Sequence, residues 1–296
     1  MLWCSLVYGA GYSDYYIFNF TKLTTKQRAT FVTIRRFDQI ILKLNDKSQW
    51  DKFDNKFTFN QIFKDYVRRF WCDIRSLTYQ EYEELFTSYP ALIIKPHDGI
   101  SGKGVKKLTK PVRSEFDELQ ENGPYLLEEC IQQADNLKQF NASSINTLRI
   151  QTLIKADGQP VIFSGVLRLG VGDTVVDNAG SGGIYTLIKP DGVLYPLASN
   201  DNGDTLSNHP ISQITFDGFV IENYYQACQM VLSAALLVPT VRFVGWDVAM
   251  SINGPVIIEG NQCPGYDMTQ NTNINQKLTG DVDEFLELCP KELSFL

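Results

Sequence analysis

Helical spacing of apolar residues marks the first part of the chain. Apolar positions three or four apart run through 26–44 and predict a helix that ends near Asn45. Residues 54–71 mix helix and strand signals, and we expect a helix there from about Asn60. The region 1–52 is therefore predicted to be mostly helical.

Two later segments also have the helical period. Residues 77–90 predict a helix with Thr78 as its N-cap, and Pro90 stands just past its end. Residues 216–237 predict another helix, whose apolar end stops at Pro239 because proline cannot continue it.

Strand patterns fill the rest of the chain. Short buried strands are predicted at "ALIIKP", "VKKLT" and "PYLLEECI", and three hairpins are predicted around the turns "ADG", "PDG" and "NG". Helices, then a small mixed unit, then a large antiparallel sheet are typical of an α+β protein rather than a doubly wound parallel sheet. We expect a helical region over 1–52, a small subdomain over 53–133 and a large subdomain over 134–296.

Composition narrows the class of protein. The 296 residues are 44% hydrophobic and 21% charged, which describes a globular chain with a sizeable core. The net charge of −7 argues against a nucleic-acid backbone or an anionic membrane as the main partner. Six cysteines without C-x-x-C spacing and only two histidines make a zinc site improbable. We expect free thiols in a reducing cytoplasm, and no transmembrane segment.

The last hairpin, "VGWDVAMSINGPVIIEGNQCPG", carries the most specific chemistry. Glu259 and Asn261 are two apart, so they point to the same face of one strand, and Asp247 on the other strand is predicted to lie opposite Glu259. Burying two carboxylates without a cation is costly, and such oxygen ligands suit Mg²⁺. The alternative is a solvated polar sheet face.

Other stretches are ambiguous when each is taken alone. "LIIKPHDGISGKGV" places a lysine before a glycine-rich turn that could present N–H groups to phosphate, or could be an ordinary surface turn. "YLLEECI" could offer backbone groups to an adenine edge, or could be a buried strand. Arg149 and Arg168, on adjacent strands, could stabilise anions or face solvent. The glycine-rich loop 175–186 could approach an anion or merely connect two strands.

The combination resembles the ATP-grasp superfamily. "IIEGNQCPG" matches the superfamily signature E-x-N-x-x-P-G, and "DNKFTF", "IKPHDGISGKGV", "NTLRI", "VDNAGSGG" and "GWDVA" look like the sugar-transfer-associated ATP-grasp proteins of polysaccharide gene clusters. The resemblance covers roughly residues 45–275. It implies an ATP-grasp fold, in which two α+β subdomains grip ATP.

The resemblance also implies roles for individual residues. Lys56 and Lys95 would contact the phosphates, and Arg149 or Arg168 would stabilise the reacting acyl group. Asp247, Glu259 and Asn261 would bind Mg²⁺. The remaining nucleotide contacts would come from the glycine flap, from the adenine strand and from a ribose partner: Gly99, Ser101, Gly102, Lys103, Gly104, Glu128, Glu129, Cys130, Ile131 and Asp135. Relatives such as the D-alanine–D-alanine ligases carry an arginine two residues before the metal aspartate, whereas this chain has Gly245.

The resemblance implies an ATP- and Mg²⁺-dependent carboxylate–amine ligase that works through an acylphosphate. One substrate would be a sugar acid or a glycan-linked carboxylate, and the other an amino acid or amine. A kinase that phosphorylates a hydroxyl and a non-catalytic nucleotide-binding partner are the alternatives. Residues 1–45 and 198–213 are expected to shape the acceptor pocket.

Overall fold

Helices occupy the first 67 positions, and strands dominate from residue 71 onward. The computed structural model describes residues 1–97, 104–172, 182–200 and 202–296. Its helices are α1 (Leu2–Tyr8), α2 (Tyr12–Ile17), α3 (Thr25–Ala29), α4 (Ile34–Leu44), α5 (Asp51–Asp54), α6 (Lys56–Ile62), α7 (Lys64–Val67), α8 (Tyr79–Ser88), α9 (Arg113–Glu121), α10 (Asp135–Lys138), α11 (Tyr224–Ala235), α12 (Thr272–Asn275) and α13 (Val282–Leu288). No helix in these ranges is long and apolar enough to cross a bilayer.

The strands form two antiparallel sheets. They are β1 (Trp71–Asp73), β2 (Leu92–Pro96), β3 (Lys106–Leu108), β4 (Tyr125–Glu129), β5 (Thr147–Ile154), β6 (Pro160–Leu169), β7 (Ile184–Ile188), β8 (Leu194–Asn200), β9 (Thr205–Leu206), β10 (Phe243–Ser251) and β11 (Gly254–Asn261). The small sheet has the order β1-β4-β2-β3, and the large sheet has the order β11-β10-β5-β6-β7-β8-β9. The α+β class and the three predicted hairpins are confirmed.

The helix expected over 26–44 is in fact two helices. It breaks after α3, because Phe31 packs with the N-terminal aromatic cluster while Val32 packs with the cluster around α4 and α13. Thr33 then starts α4, and its hydroxyl donates to the carbonyl of Tyr8. The predicted end at Asn45 is confirmed.

Local capping and turn residues determine where three other predicted helices begin. Thr78 caps α8 in a capping box with Glu81, as expected. The helix expected from Asn60 begins at Lys56 instead, because the side chain of Asn55 accepts from the N–H groups of residues 57 and 58. The helix expected over 216–237 begins only at α11, since the preceding turn contains Gly218 at a φ of 76°.

The large sheet separates core residues from site residues by the alternation of its strands. On β5, Leu148 and Ile150 pack into the main core, and on β10 Trp246 and Val248 do the same. The intervening residues, among them Arg149 and Asp247, point to the opposite face. The main core lies between this sheet and α11.

A β-bulge in β11 aligns the two acids of the last hairpin. Val248 pairs with Ile257, whereas Asp247 pairs with Glu259, so Ile258 is the extra residue. Without the extra residue, Glu259 would share the face of Ile257 and point into the core. The predicted opposition of Asp247 and Glu259 is confirmed, and the bulge is what produces it.

The small sheet spans residues 71–129 and the large sheet spans 147–261. The boundaries proposed at 52/53 and 133/134 stay predictions. Asn45 ties the helical region to the large sheet: its Nδ2 donates to the carbonyls of Phe243 and Gln262, and its Oδ1 accepts from the Phe243 N–H.

We expect Asn45→Ala to lower the free energy of unfolding by about 3 kcal/mol, because three backbone groups, two of them buried, lose their partner. Denaturant unfolding of the wild type and the variant measures this difference. Asn202→Ala, which removes an exposed carboxamide, is the control and should change little. Equal losses for the two variants would contradict the assigned role of Asn45.

Candidate active site

A cavity of about 760 Å³ lies between the two sheets. Its walls come from β2, β3 and β4 on one side and from β5, β6, β10 and β11 on the other. Ten of the residues predicted from the sequence line it: Lys56, Lys95, Glu128, Glu129, Cys130, Ile131, Asp135, Arg168, Asp247 and Glu259. Residues far apart in the sequence are thus brought to one place.

The other predicted residues are distributed as follows. Asn261 lines an adjoining cavity of about 150 Å³ that shares Lys56, Lys95 and Glu259 with the large cavity. Arg149 lies behind Asp247 and bonds to it. Gly99, Ser101, Gly102, Lys103 and most of the loop 175–186 lie outside the described residues.

Asp247 is held by two arginines. Its Oδ1 accepts from Arg149 Nε at 2.6 Å, and its Oδ2 accepts from Arg149 Nη2 at 3.1 Å and contacts Arg168 Nη2 at 2.8 Å. Burial alone would raise the pKa of Asp247, but the two guanidinium groups outweigh it and hold the pKa well below its usual range. Asp247 is therefore ionised at neutral pH.

Glu259 is in the opposite electrostatic situation. Burial raises its pKa, and the neighbouring charge of Asp247 raises it further. No ion pair to its carboxylate occurs within the described ranges. A bound cation would relieve both effects, so Glu259 is the strongest candidate for a metal ligand in this cavity.

The residues around Glu259 fit a magnesium ion. Asn261 Nδ2 is buried and has no acceptor among the residues that the structure describes, so the carboxamide is free to turn its oxygen toward a cation. No cluster of three His, Cys, Asp or Glu side chains suited to a metal occurs in the described part of the chain. Mg²⁺ does not need one, because it binds through one or two carboxylates together with phosphate oxygens and water.

Lys95 and Glu128 form a second buried group of charges. Lys95 Nζ lies 2.5 Å from Glu128 Oε2, and Arg69 Nη2 donates to Glu128 Oε1 at 2.7 Å. Burial raises the pKa of Glu128, but Arg69 and Lys95 lower it more, to about 2. The adenine contact predicted for Glu128 would have to share a carboxylate that already binds two cations, and it stays a prediction.

Arg69 is a site residue that sequence analysis missed. Its Nη1 donates to the carbonyl of Ile257 at 2.7 Å and its Nη2 to that of Ile258 at 3.3 Å, while it also bonds to Glu128. It therefore connects β4 of the small sheet to the bulge that positions Glu259. The run Phe-Trp-Cys after this arginine favours a strand and could have indicated that Arg69 lies beside a sheet. This stretch was instead assigned to the end of a predicted helix.

The expected adenine strand lines the same cavity. The N–H of Cys130 donates to the carbonyl of Ala91, so a contact from this residue to an adenine edge would use its carbonyl. Glu129 accepts from the N–H of Phe70. Asp135, the proposed ribose partner, is exposed at the start of α10 and also lines the cavity.

The described residues on either side of the predicted flap make specific contacts. Asn55 caps the helix that begins at Lys56, and its Nδ2 lies 3.2 Å from His97 Nε2. Gly104, the last flap residue, has a φ of 76°, and a Cβ there would lie 2.7 Å from Pro96 Cγ. Only glycine fits that position without strain.

Packing explains why this chain has a glycine at position 245. A Cβ at this position would lie 2.7 Å from Pro264 Cβ and 3.0 Å from Arg149 Cδ. Arg149 passes over this glycine from the neighbouring strand to reach Asp247 and the carbonyl of Pro264. The place beside Asp247 is thus filled by an arginine from β5, and the close packing leaves room only for a glycine at position 245.

The two sheets, the cavity between them and the acidic hairpin define an ATP-grasp protein. The chain belongs to the sugar-transfer associated ATP-grasp family, whose model matches residues 35–281. The resemblance inferred from the motifs and the expected ATP-grasp fold are both confirmed. No curated protein sequence matches the chain significantly.

Several solved structures are similar at low identity. The ATP-grasp ligase PsnB complexed with minimal precursor, Mg and ADP is 12% identical with a TM-score of 0.49, and the match covers 85% of this chain and 62% of that one. D-alanyl-alanine synthetase A from Vibrio cholerae is 11% identical with a TM-score of 0.49, covering 82% and 65%. The ADP complex of N5-carboxyaminoimidazole ribonucleotide synthetase is 13% identical with a TM-score of 0.45, covering 73% and 46%. The chain spans about half to two thirds of the length of these structures.

We expect the buried Glu128 and the half-buried Glu259 to respond oppositely to substitution when no ligand is present. Folding favours protonated Glu259, so its contribution to stability falls as the pH rises through its raised pKa. Folding favours ionised Glu128, whose contribution is present above the ordinary glutamate pKa and is lost as the pH falls toward about 2. At neutral pH, Glu259→Gln should keep or raise the melting temperature. Glu128→Gln should cost about 3 kcal/mol, because it leaves Arg69 and Lys95 without their counter-ion.

Thermal melts at neutral and mildly acidic pH measure this contrast. The gain from Glu259→Gln should shrink in acid, where the wild-type carboxyl is already protonated. A clear loss of stability for Glu259→Gln at neutral pH would show that Glu259 is a structural acid.

Gly245→Ala should lower the melting temperature, because the new methyl group collides with Pro264 and displaces Arg149 from Asp247. Gly11→Ala is the matched control, since a Cβ there would make only ordinary contact with Ile34. Thermal melts of both variants test the packing. Equal melting temperatures for Gly245→Ala and the wild type would disprove the close approach.

Proposed function

We propose that this protein uses ATP and Mg²⁺ to activate a carboxylate as an acylphosphate, which an amine then attacks. The observation that best supports this proposal is the arrangement of charges in the cavity. Two groups, Lys95–Glu128–Arg69 and Arg149–Asp247–Arg168, each combine two cations with one carboxylate. Each group therefore carries a net charge of +1, and Glu259 with a raised pKa lies close to Asp247, which suits a metal-bound polyphosphate.

Lys95 and Lys56 would bind the phosphates. An ammonium group has three N–H donors, so Lys95 can keep its bond to Glu128 and still donate to a phosphate oxygen. Glu128 would hold Lys95 in place, and Arg69 would hold Glu128. In such a reaction the protein contributes mainly positioning and charge stabilisation.

Glu259, Asn261 and Asp247 would hold Mg²⁺, which supplies positive charge next to the transferring phosphoryl group. Asp247 would share its oxygens with Arg149 and Arg168. Arg168 lines the cavity, so its guanidinium is the better placed of the two to stabilise the oxyanion of the tetrahedral intermediate. Arg149 would contribute indirectly, by holding Asp247 in position.

Because the family is described as sugar-transfer associated, we propose that the carboxylate belongs to a sugar acid or a glycan. The second substrate is proposed to be an amine or amino acid. We place the reaction in the cytoplasm, where ATP and reduced thiols are available. Residues 1–45 and 198–213 are proposed to contribute to acceptor selection.

The decisive experiment supplies ATP, Mg²⁺, an amine and an ¹⁸O-labelled sugar carboxylate. An acylphosphate route transfers one ¹⁸O atom to the released phosphate, and ADP release requires both substrates. Phosphate retained on a hydroxyl of the acceptor, without ¹⁸O transfer, would identify a kinase and overturn the proposal. ATP binding without turnover across a panel of carboxylates and amines would identify a non-catalytic partner.

Lys95→Met should lower kcat/KM by about a hundredfold or more, because it removes a cation from the phosphate site. Lys291→Met, which removes an exposed lysine near the C-terminal end of the sequence, away from the cavity, is the control and should retain full activity. Steady-state ADP release measures both. Unchanged turnover in Lys95→Met would remove this lysine from the mechanism.

A further inference from the structure

The first 36 residues differ in charge from the rest of the chain. They contain five basic residues and one acid, a net charge of +4, so the remaining 260 residues carry −11 of the total of −7. The acid, Asp14, is buried and accepts from Tyr266 and from two backbone N–H groups. The net charge of the whole chain therefore conceals a basic N-terminal region.

An exposed apolar surface occupies the same region. Cys4 and Tyr8 anchor α1 in the N-terminal core, whereas the helix presents other apolar side chains to solvent. Leu2 and Leu6, one turn apart, are 79% and 82% exposed, and Tyr12 on α2 is 68% exposed. We call this surface the N-terminal apolar face; it consists of Met1, Leu2, Trp3, Leu6, Val7, Tyr12 and Tyr16, all exposed.

Exposed basic side chains lie on the segments that pack against α1 and its end. The hydroxyl of Tyr8 donates to the carbonyl of Thr25, which precedes the exposed Lys26. The N–H of Arg35 donates to the carbonyl of Gly9, just after α1 ends, and the Arg35 side chain is exposed. Lys22 is exposed on the same segment. The N-terminal region thus exposes apolar, aromatic and cationic side chains.

We propose that the N-terminal apolar face binds the surface of an anionic lipid bilayer. Helices that lie at a bilayer surface combine three kinds of side chain. Leucines insert below the headgroups, tryptophan and tyrosine lie at the interface, and lysines lie near the lipid phosphates. The acidic remainder of the chain is repelled by the same surface, so the electrostatic field orients the protein with α1 toward the lipid.

The charges also argue against a second copy of the chain as the occupant. Association through this face would bring two regions of net charge +4 together, which like-charge repulsion opposes. A lipid surface with anionic headgroups has the opposite charge. The proposal is independent of the nucleotide site, because it uses none of the residues that line the cavity.

Cosedimentation with vesicles of phosphatidylcholine alone and of a phosphatidylcholine–phosphatidylglycerol mixture tests the proposal. The wild type should bind the mixed vesicles and bind the neutral vesicles much more weakly. The double variant Leu2→Ser/Leu6→Ser should lose binding because it removes the most exposed apolar groups. Lys22→Glu/Lys26→Glu should weaken it about tenfold or more. Tyr225→Ser, which removes an exposed aromatic ring on α11, is the control and should bind like the wild type.

Two outcomes would overturn the proposal. The first is absence of binding to the mixed vesicles, or equal binding by the wild type and Leu2→Ser/Leu6→Ser. The second is a dimer that forms without lipid, detected by light scattering, and that is absent in this double variant. The N-terminal apolar face would then bind a second copy of the chain. A blue shift of Trp3 fluorescence with mixed vesicles, lost in Trp3→Phe, would support insertion at the interface.

Discussion

Burying charge between two sheets is the constraint on which the rest of this site depends. Asp247 and Glu128 are each almost completely buried, a position that an ionised carboxylate holds only when it is paired. Each is bonded by two cations, and both pKa values are lowered as a result. The sheets supply the framework that keeps these six side chains in contact, and the surplus positive charge is the basis of the proposed anion binding.

The two groups of charges are linked through the backbone of β11. Arg69 bonds both to Glu128 and to the carbonyls at the bulge, and the bulge turns Glu259 out of the core and toward Asp247. The lysine proposed to bind phosphate and the acid proposed to bind metal are thus positioned by one chain of contacts. A change at Arg69 or at the bulge would disturb both at once.

The sequence predicts this architecture well where the signals are local. The three hairpins and the Thr78 cap follow from turn residues, strand alternation and capping, and the motif around "EGN" points to the family. Counting from the turn brought Asp247 and Glu259 near each other, but their exact opposition depends on the bulge. Long-range packing was not accessible in the same way. The break in the helix over 26–44 depends on which clusters receive Phe31 and Val32, and the bulge at Ile258 depends on pairing with β10. Arg69 was missed because its partners are distant in sequence, and the pairing of both arginines with Asp247 requires the order of three strands.

Calorimetric titration of ATP into the wild type and Glu259→Gln, each with and without Mg²⁺, tests the central claim most directly. The account predicts that the wild type binds ATP more tightly when Mg²⁺ is present. It predicts that Glu259→Gln remains folded but loses this dependence on Mg²⁺, because the cation loses its main ligand. ATP binding with the same Mg²⁺ dependence in both proteins would contradict the assignment of Glu259, and no ATP binding by the folded wild type would contradict the assignment of the cavity itself.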